Sequence, residues 1–159
     1  MRADRDDLAR HLLDQAVFLV RSNGKKPSYK RRAVSCAYYA VFHAFAKLCA
    51  DVVMPDSQGE AGQYERVYRS LDHTALRTVF GKDPLRSDPA MRLLGAKVTD
   101  LQSARHEADY AAPRAFVFTR STCMNHISEA RKVIEMLEAL PGTQCRTLAI
   151  CLLFKDRKT

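Results

Sequence analysis

The sequence predicts an all-α fold, on the basis of three observations. It has only 6 glycines and 6 prolines in 159 residues, it has no tryptophan, and 47% of its residues are apolar. A β-sandwich or barrel needs turns at short intervals and is usually richer in Gly and Pro than this chain. Stretches rich in Ala, Leu, Arg and Glu favour helices instead. A chain of this size and apolar content can bury its own core, so we expect one domain over residues 1–159.

Apolar residues that recur at every third and fourth position predict five amphipathic helices. The second of these is apolar on most of its sides, which is typical of a central helix. Asn23-Gly24, Gly81 with Pro84, Pro113 and Pro141-Gly142 mark the ends of helices, and Pro89 opens the fourth. The predicted ranges are 4–22, 33–53, 60–80, 88–110 and 115–140.

The segment 147–154 is nearly continuous in apolar residues, so its periodicity cannot distinguish a strand from a buried helix. Thr143 as a helix cap favours a short helix.

The five cysteines are Cys36, Cys49, Cys123, Cys145 and Cys151. Their odd number and the lack of a C-x-x-C pair support neither a disulfide framework nor a zinc site, so we expect reduced and mostly buried thiols. We expect no metal and no cofactor. Motifs for a phosphate-binding glycine loop or a serine nucleophile elbow are not found either.

The charge balance favours phosphate-bearing partners. Lys and Arg outnumber Asp and Glu by 26 to 18, which gives a net charge of +8 and a pI near 9.4. Five of the first seven residues are charged, so this segment lacks the apolar core of a secretory signal, and the apolar run 148–154 is too short to span a membrane. These features predict a cytoplasmic protein without a membrane segment.

Three segments together resemble the HEPN domain family of bacteria and archaea. Residues 32–44 read RAVSCAYYAVFHA, residues 73–80 read HTALRTVF, and residues 105–110 read RHEADY. The pattern AYYAxFHA followed by RxxADY is similar to small stand-alone HEPN proteins, and the resemblance spans about residues 8–140. It implies an up-and-down bundle of four to five helices, usually a homodimer. It also implies a link to RNA cleavage, to toxin and antitoxin pairs that include a minimal nucleotidyltransferase, or to phage defence.

In nuclease members of that family, an Arg is followed after four to six residues by a His, and pairs from two subunits face each other for metal-independent attack on RNA by a 2′-hydroxyl. An Arg clamps a phosphate, and a His acts as general acid or base. From Arg105, the positions for that His hold Tyr110, Ala111 and Ala112. The resemblance therefore implies a catalytic set of Arg105 with His106, Asp109 and Tyr110.

The four residues of this set share two neighbouring faces of one helix. Arg105 and Asp109 are four apart, so they can form an ion pair that simply closes the helix before Pro113. In the functional interpretation, Arg105 binds phosphate and the other three are its polar partners. The resemblance also implies that Tyr110 can accept a nucleotide from a partner nucleotidyltransferase.

Other Arg and His pairs satisfy the spacing, at Arg5 and His11, Arg66 and His73, and Arg120 and His126. Chance alone produces about 1.6 such pairs in this composition, so three carry little weight. Arg120 and His126 are the second choice, because they follow the Arg105 motif. On a straight helix, however, they lie about 120° apart.

Two further sets of residues complete the sequence-based predictions. Tyr39 and His43 are predicted to form a polar network with Arg105, although a lone His in an apolar helix is more often a core residue with one hydrogen bond. Five basic residues within 25–32 are predicted to bind RNA or, alternatively, to form a solvated surface. They are Lys25, Lys26, Lys30, Arg31 and Arg32.

Two functions remain open. The first is a homodimeric, RNA-associated endoribonuclease or toxin of a toxin-antitoxin or phage-defence module. The second is a non-catalytic binding module that contacts a partner nucleotidyltransferase or a nucleotide. The absence of the motif His favours the second, and the basic charge with Arg105 favours the first.

Overall fold

A computed structural model describes residues 7–23, 25–55, 61–115 and 118–156, and these form α-helices without any strand. The prediction of an all-α fold is confirmed, while the HEPN type of the bundle stays a prediction. Two short 3₁₀ turns lie at Val79–Gly81 and Leu85–Ser87. The helices are α1 (Leu8–Asn23), α2 (Pro27–Val53), α3 (Ala61–Tyr68), α4 (His73–Thr78), α5 (Pro89–Tyr110), α6 (Arg120–Glu138) and α7 (Gly142–Leu153).

The central helix of the bundle is α2, as predicted. It contacts α1, α3, α5, α6 and α7, and its fully buried side chains include Tyr38 and Phe45. By length and composition α2 could also cross a membrane, but 67% of its most apolar 18-residue window is buried within the bundle. A core helix passes the same test, so the predicted absence of a membrane segment and the cytoplasmic location stay predictions.

The start of α2 differs from the prediction. It begins at Pro27 rather than at residue 33, because proline at the first helical position has its fixed φ already suited to the helix and needs no hydrogen bond there. Lys30, Arg31 and Arg32 therefore lie on the first turns of α2, and Lys25 and Lys26 lie in the turn before it. At the first predicted helix, residues 4–6 lie outside the described residues.

The single helix predicted over 60–80 was wrong, because two shorter helices separated by Arg69 to Asp72 occupy this region. The Asp72 carboxylate accepts a hydrogen bond from the Ala75 backbone N–H at 2.7 Å and so caps α4. Leu71 lies in the connection between α3 and α4, and its buried side chain packs this connection against the core. A new helix therefore begins at His73. Residue 60 lies outside the described residues.

The last three helices agree with the prediction in type and differ at their ends. Asp88 caps α5 through the Ala90 and Met91 backbone N–H groups. Helix α6 begins at Arg120 rather than at residue 115, because Thr119 caps it. Residues 116 and 117 lie outside the described residues. Residues 147–153 are helical within α7, and Phe154 is the C-cap in extended backbone. Thr143 is not the N-cap, because it lies inside the helix and Pro141 holds the cap position without a side-chain hydrogen bond.

The cysteine prediction is confirmed. All five are free thiols, and Cys36, Cys49 and Cys123 are buried.

Four helix ends meet at one end of the bundle, and Arg31 joins two of them. Its guanidinium donates hydrogen bonds to the carbonyls of Ala108 at 2.8 Å and Ala111 at 2.7 Å, at the end of α5. The turn from α1 to α2 lies at the same end. The start of α6 is there as well, because the Lys30 ammonium is close enough to Cys123 to lower the pKa of its thiol, against the larger effect of burial. We call this region, which comprises the described residues of 20–36 and 108–126 (20–23, 25–36, 108–115 and 118–126), the basic end.

Candidate functional site

Arg105 lies against two tyrosine rings of α2. Its guanidinium carbon is 5.1 Å from the centroid of the Tyr38 ring and 5.9 Å from that of Tyr39. Both distances allow cation–π attraction, which holds a guanidinium without using its hydrogen-bond donors. The Arg105 side chain is only 13% exposed. Arg105 is therefore a fixed and largely desolvated positive charge.

His73, the first residue of α4, contacts the same two tyrosine rings. Its ring centroid is 5.6 Å from that of Tyr38 and 5.9 Å from that of Tyr39, and it stacks on Phe42 at 4.2 Å. Its pKa is lowered, chiefly by burial and further by the positive charge of Arg105. Arg105 and His73, from α5 and α4, thus meet over aromatic residues of α2. We call Tyr38, Tyr39, Phe42, His73, Gln102 and Arg105 the Arg105 cluster.

Hydrogen bonds orient His73 in this cluster. The Tyr38 hydroxyl and His73 Nδ1 are 2.6 Å apart, and Gln102 Nε2 donates to the Tyr38 hydroxyl at 3.2 Å and to the His73 backbone carbonyl at 3.1 Å. Burial raises the pKa of Tyr38 to about 12, so the phenol stays protonated at neutral pH. Tyr38 and Gln102 therefore fix both the ring and the backbone of His73.

The proton on His73 can occupy either ring nitrogen in this arrangement. If the Tyr38 hydroxyl donates to Nδ1, then Nε2 carries the hydrogen; if the hydroxyl accepts from Nδ1, then Nε2 has a lone pair. The Tyr38 hydroxyl can turn to suit either tautomer, while the ring proton itself moves between Nε2 and Nδ1 by exchange with solvent. Nε2 can therefore serve as a donor or as a base.

The cluster contains two buried polar atoms without a hydrogen-bond partner among the described residues: Arg105 Nε and Gln102 Oε1. Buried polar atoms in proteins are nearly always paired, because an unmade hydrogen bond costs about 1–3 kcal/mol. On the same helix, Asp109 Oδ2 is 3.6 Å from a terminal nitrogen of Arg105. The guanidinium is therefore only partly satisfied and can bind an anion.

Of the predicted catalytic set, only Asp109 contacts Arg105. The rings of His106 and Tyr110 lie 4.9 Å apart, and both residues are exposed on a neighbouring face of α5. Tyr110 is 69% exposed. Its accessibility suits a modification or a stacking surface more than acid–base chemistry at Arg105.

The predicted network of Tyr39, His43 and Arg105 forms only in part. Tyr39 lies against Arg105 through its ring, but His43 Nδ1 is hydrogen-bonded to the Tyr68 hydroxyl of α3 at 2.6 Å. His43 is partly buried and its pKa is lowered, chiefly by that burial. Its described contacts are thus those of a structural histidine with one hydrogen bond.

The second-choice pair also does not come together. Arg120 is exposed on the first turn of α6, whereas the His126 ring lies 5.4 Å from that of Phe118. Burial lowers the pKa of His126. The angular separation expected on a regular helix is the reason, since α6 is unbroken from Arg120 to Glu138.

The basic segment 25–32 contains two kinds of residue. Arg31 is half-buried and engaged with the end of α5, so its interactions are structural. Lys25, Lys26 and Arg32 are exposed, Lys30 is half-exposed, and no ion pair joins these four to any residue that the structure describes.

His73, Tyr38 and Gln102 were missed as site residues. One signal was available, since Gln102 precedes Arg105 by three residues and such a pair shares a helix face. His73 was noted only as a partner of Arg66 and as the start of the segment 73–80, and its position beside the tyrosine rings that contact Arg105 depends on the unpredicted start of α4.

Two other features of the described residues lie apart from the cluster. No group of three or more His, Cys, Asp or Glu residues is placed to hold a metal ion within these ranges. A cavity of about 520 Å³ opens among α1, α2, α6 and α7, and its rim carries the ion pairs of Arg10 with Glu138 and of Lys47 with Asp51. None of the predicted site residues lines this cavity.

Comparisons with family models, with curated proteins and with solved structures find no match. The described residues form a helical bundle that carries the Arg105 cluster and a strongly basic end.

Proposed function

We propose that this protein is a HEPN-like endoribonuclease or toxin of a toxin-antitoxin or phage-defence module. In this proposal Arg105 binds the scissile phosphate, and His73 replaces the histidine absent from the family's motif. The observation that carries the proposal is the placement of a largely buried and incompletely satisfied guanidinium beside an oriented histidine on the same tyrosine rings.

The reaction that suits these groups is attack by the ribose 2′-hydroxyl on the adjacent phosphorus. The 2′-oxygen forms a bond to phosphorus and loses its proton to His73 Nε2, while the bond from phosphorus to the 5′-oxygen breaks and that oxygen takes up a proton from solvent water. The products are a 2′,3′-cyclic phosphate and a 5′-hydroxyl. Arg105 stabilises the negative charge on the non-bridging oxygens, and its desolvated position strengthens that interaction.

The histidine is suited to this step by its lowered pKa, which keeps the ring neutral and able to accept a proton at neutral pH. Tyr38 positions it and holds the tautomer with a free Nε2 lone pair when its hydroxyl accepts the hydrogen of Nδ1. Asp109 would release Arg105 when a phosphate binds, since both are anions that compete for the same guanidinium. A homodimer would bring a second cluster, as the resemblance implies.

The test is cleavage of structured and unstructured RNA in EDTA by protein free of any inhibitor. We expect Arg105→Ala and His73→Gln each to reduce the rate by about 100-fold or more, since each removes a group that acts in the transition state. Arg92→Ala is the matched control, because Arg92 is an exposed arginine of α5 outside any ion pair with the described residues. Folding and oligomeric state are checked by circular dichroism and light scattering.

The outcomes separate clearly. Cleavage that both variants lose and Arg92→Ala retains supports the proposal. If Arg105→Ala loses cleavage but His73→Gln retains it, His73 is not the general base. His106 and Asp109 are then the next residues to test. If inhibitor-free wild type cuts no RNA, the nuclease proposal is wrong.

A second function, a non-catalytic module that contacts a nucleotide or a partner nucleotidyltransferase, is favoured by Tyr110. Its ring is 69% exposed and lies beside the imidazole of His106, so its hydroxyl is open to a partner enzyme. Titration calorimetry with ATP tests nucleotide binding. Binding by wild type that Tyr110→Ala weakens about tenfold supports this function, since one stacking contact is worth about 1–3 kcal/mol.

A further inference from the structure

The basic end carries almost the whole net charge of the protein. Residues 20–36 and 108–126 contain eight Lys or Arg residues and a single acidic residue, Asp109, a local charge of +7 against +8 for the entire chain. The eight are the five basic residues of 25–32 together with Arg21, Arg114 and Arg120. The remainder of the chain is nearly neutral. The positive charge is therefore concentrated rather than spread for solubility.

The fold, not the sequence order, creates this concentration. The two segments are about 80 residues apart, and the hydrogen bonds from Arg31 to Ala108 and Ala111 hold them together. The carbonyl of Ala112 is also within 3.4 Å of the same guanidinium, which places Arg114 next to the start of α2. Arg31 thus acts as the structural link, and the cations around it are left to face solvent.

The surrounding cations are accessible and unneutralised. Arg21, Lys25, Lys26, Arg32, Arg114 and Arg120 are all exposed. None of them forms an ion pair with any residue in the described ranges, whereas the only carboxylate of the basic end lies beside Arg105. Keeping six like charges close together costs free energy through repulsion, and a bound polyanion relieves it.

The same end offers an aromatic surface for a base. Tyr110 lies between the two residues whose carbonyls bind Arg31, its ring is 69% exposed, and its neighbour is the ring of His106. Cations that follow a backbone, combined with exposed rings on which bases stack, are the recognition mode of single-stranded nucleic acids. In a duplex the bases are already stacked and paired, so Tyr110 would have nothing to bind.

We propose that the basic end binds single-stranded RNA, with its cations on the phosphates and one base stacked on Tyr110. This inference rests on the proposed function for the choice of RNA among polyanions. It adds that the RNA is single-stranded and that the bound strand extends toward Arg105. Arg105 lies five residues before Tyr110 on α5, about 7.5 Å along the helix axis, so the Arg105 cluster is near the basic end along this helix although it is on a different face.

The probe is a fluorescein-labelled oligomer of 20 2′-O-methyluridines, which has no 2′-hydroxyl and is not cleaved by the proposed chemistry. Binding is followed by fluorescence anisotropy between 50 and 300 mM NaCl. We expect wild type to bind it more tightly than a duplex of the same length, and the affinity to fall steeply with salt. For single strands the logarithmic slope is about 0.7 for each phosphate neutralised.

Two variants with the same net charge separate the basic end from the rest of the surface. The first removes four cations of the basic end, and we expect its salt slope to fall by about 3 and its affinity at 100 mM NaCl to fall at least tenfold. The control removes four exposed cations elsewhere and should bind within about twofold of wild type. The variants are Lys25→Gln/Lys26→Gln/Arg32→Gln/Arg114→Gln and Arg77→Gln/Lys82→Gln/Arg92→Gln/Arg131→Gln.

Tyr110 is tested alone. Tyr110→Ala should weaken binding by about tenfold without changing the salt slope, and Tyr110→Phe should restore it, because the ring and not the hydroxyl makes the contact.

The results distinguish this inference from the nuclease proposal. Salt-dependent binding with no RNA cleavage supports the basic end and rejects the nuclease. Cleavage by wild type, combined with equal affinities of the two quadruple variants, rejects the basic end and leaves the nuclease standing. Tighter binding to the duplex, or binding only to phosphatidylserine vesicles, would also overturn the inference.

Discussion

Tyr38 and His73 are joined by a hydrogen bond of 2.6 Å between the Tyr38 hydroxyl and His73 Nδ1, across 35 residues of chain. Tyr38 is fully buried in the central helix, while His73 opens a short helix that packs on α5. The bond therefore connects the buried central helix of the bundle to one of its smallest elements. Any chemistry of His73 depends on it.

Removing that hydroxyl should cost stability. Tyr38→Phe leaves His73 Nδ1 and Gln102 Nε2 without one partner each in a partly buried position, so we expect the free energy of unfolding to fall by about 1–2 kcal/mol. Urea denaturation measures it. Tyr110→Phe is the matched control, since its hydroxyl is exposed and should contribute less than about 0.5 kcal/mol. Equal stabilities of the two variants would contradict the role assigned to this bond.

The helices could be predicted from sequence because their signals are local. The period of apolar residues, together with Pro89 and Pro113, located α5 almost to the residue. The break before α4 has one local signal, the Asp72 cap, but it also depends on Leu71 reaching the core, which no local pattern shows. The position of His73 could not be predicted either, because His73 and Arg105 come to lie against the same Tyr38 ring only through tertiary packing.

The interpretation of Arg31 shows the same limit. In the sequence it is one of five basic residues within 25–32, and composition alone assigns all five to one surface. Only the fold separates it from Arg32, because a helix turns by about 100° between neighbours and directs the two side chains to different surroundings. Patterns of charge predict a surface, whereas the role of each cation on it depends on what lies opposite.

Gly95 of α5 allows Phe80 to pack directly against the helix. A Cβ at Gly95 would lie 2.4 Å from Phe80 Cβ, a distance that requires the backbone to shift. Gly95→Ala should therefore destabilise the protein by about 1–3 kcal/mol, despite the better helix propensity of alanine.

The comparison for this prediction is Gly62→Ala in α3, where a Cβ meets nothing within 4 Å. That substitution should leave stability unchanged or raise it by up to about 1 kcal/mol. Thermal denaturation of both variants provides the measurement. If Gly95→Ala melts at or above the temperature of wild type, the packing described for Phe80 is wrong.

Three histidines make stability depend on pH. The pKa values of His43, His73 and His126 are all lowered, in each case mainly by burial. The unfolded chain therefore takes up protons near pH 6.5 that the folded chain takes up only at lower pH. The contribution of these histidines to the free energy of unfolding is therefore fully present above about pH 6.5, and it should decline as the pH falls from 7 toward 5.

The urea midpoint at pH 7.5 and at pH 5.5 checks this direction. His126→Gln should reduce the difference between the two midpoints, because it removes one of the groups whose pKa is lowered by folding. It is suited to this test because no hydrogen bond among the described residues is lost with the ring. His11→Gln, at an exposed position of α1, should leave the difference unchanged. A wild-type midpoint that is equal or higher at pH 5.5 would refute the assignment.

Arg31 and Arg32 form a pair of adjacent arginines with opposite expected effects. Arg31 satisfies the last carbonyls of α5, which have no partner within their own helix, and its charge lies at the negative end of the helix dipole. Arg31→Ala should therefore destabilise the protein by about 1–3 kcal/mol and loosen the end of α5 that carries Tyr110. Arg32→Ala should change stability by less than about 0.5 kcal/mol, because that side chain is exposed.

The measurements for this pair are urea denaturation and amide hydrogen exchange at 108–112. Arg31→Ala should accelerate exchange there, and Arg31→Lys should restore only part of the protection, because an ammonium cannot present the planar fork of donors that spans two carbonyls. The two substitutions should also affect the proposed RNA binding differently. Arg32→Ala should weaken the affinity for RNA while the amides of α5 stay protected as in wild type. Arg31→Ala should weaken the affinity only together with the loss of that protection. Loss of affinity in Arg31→Ala with full protection of α5 would show that Arg31 contacts RNA directly.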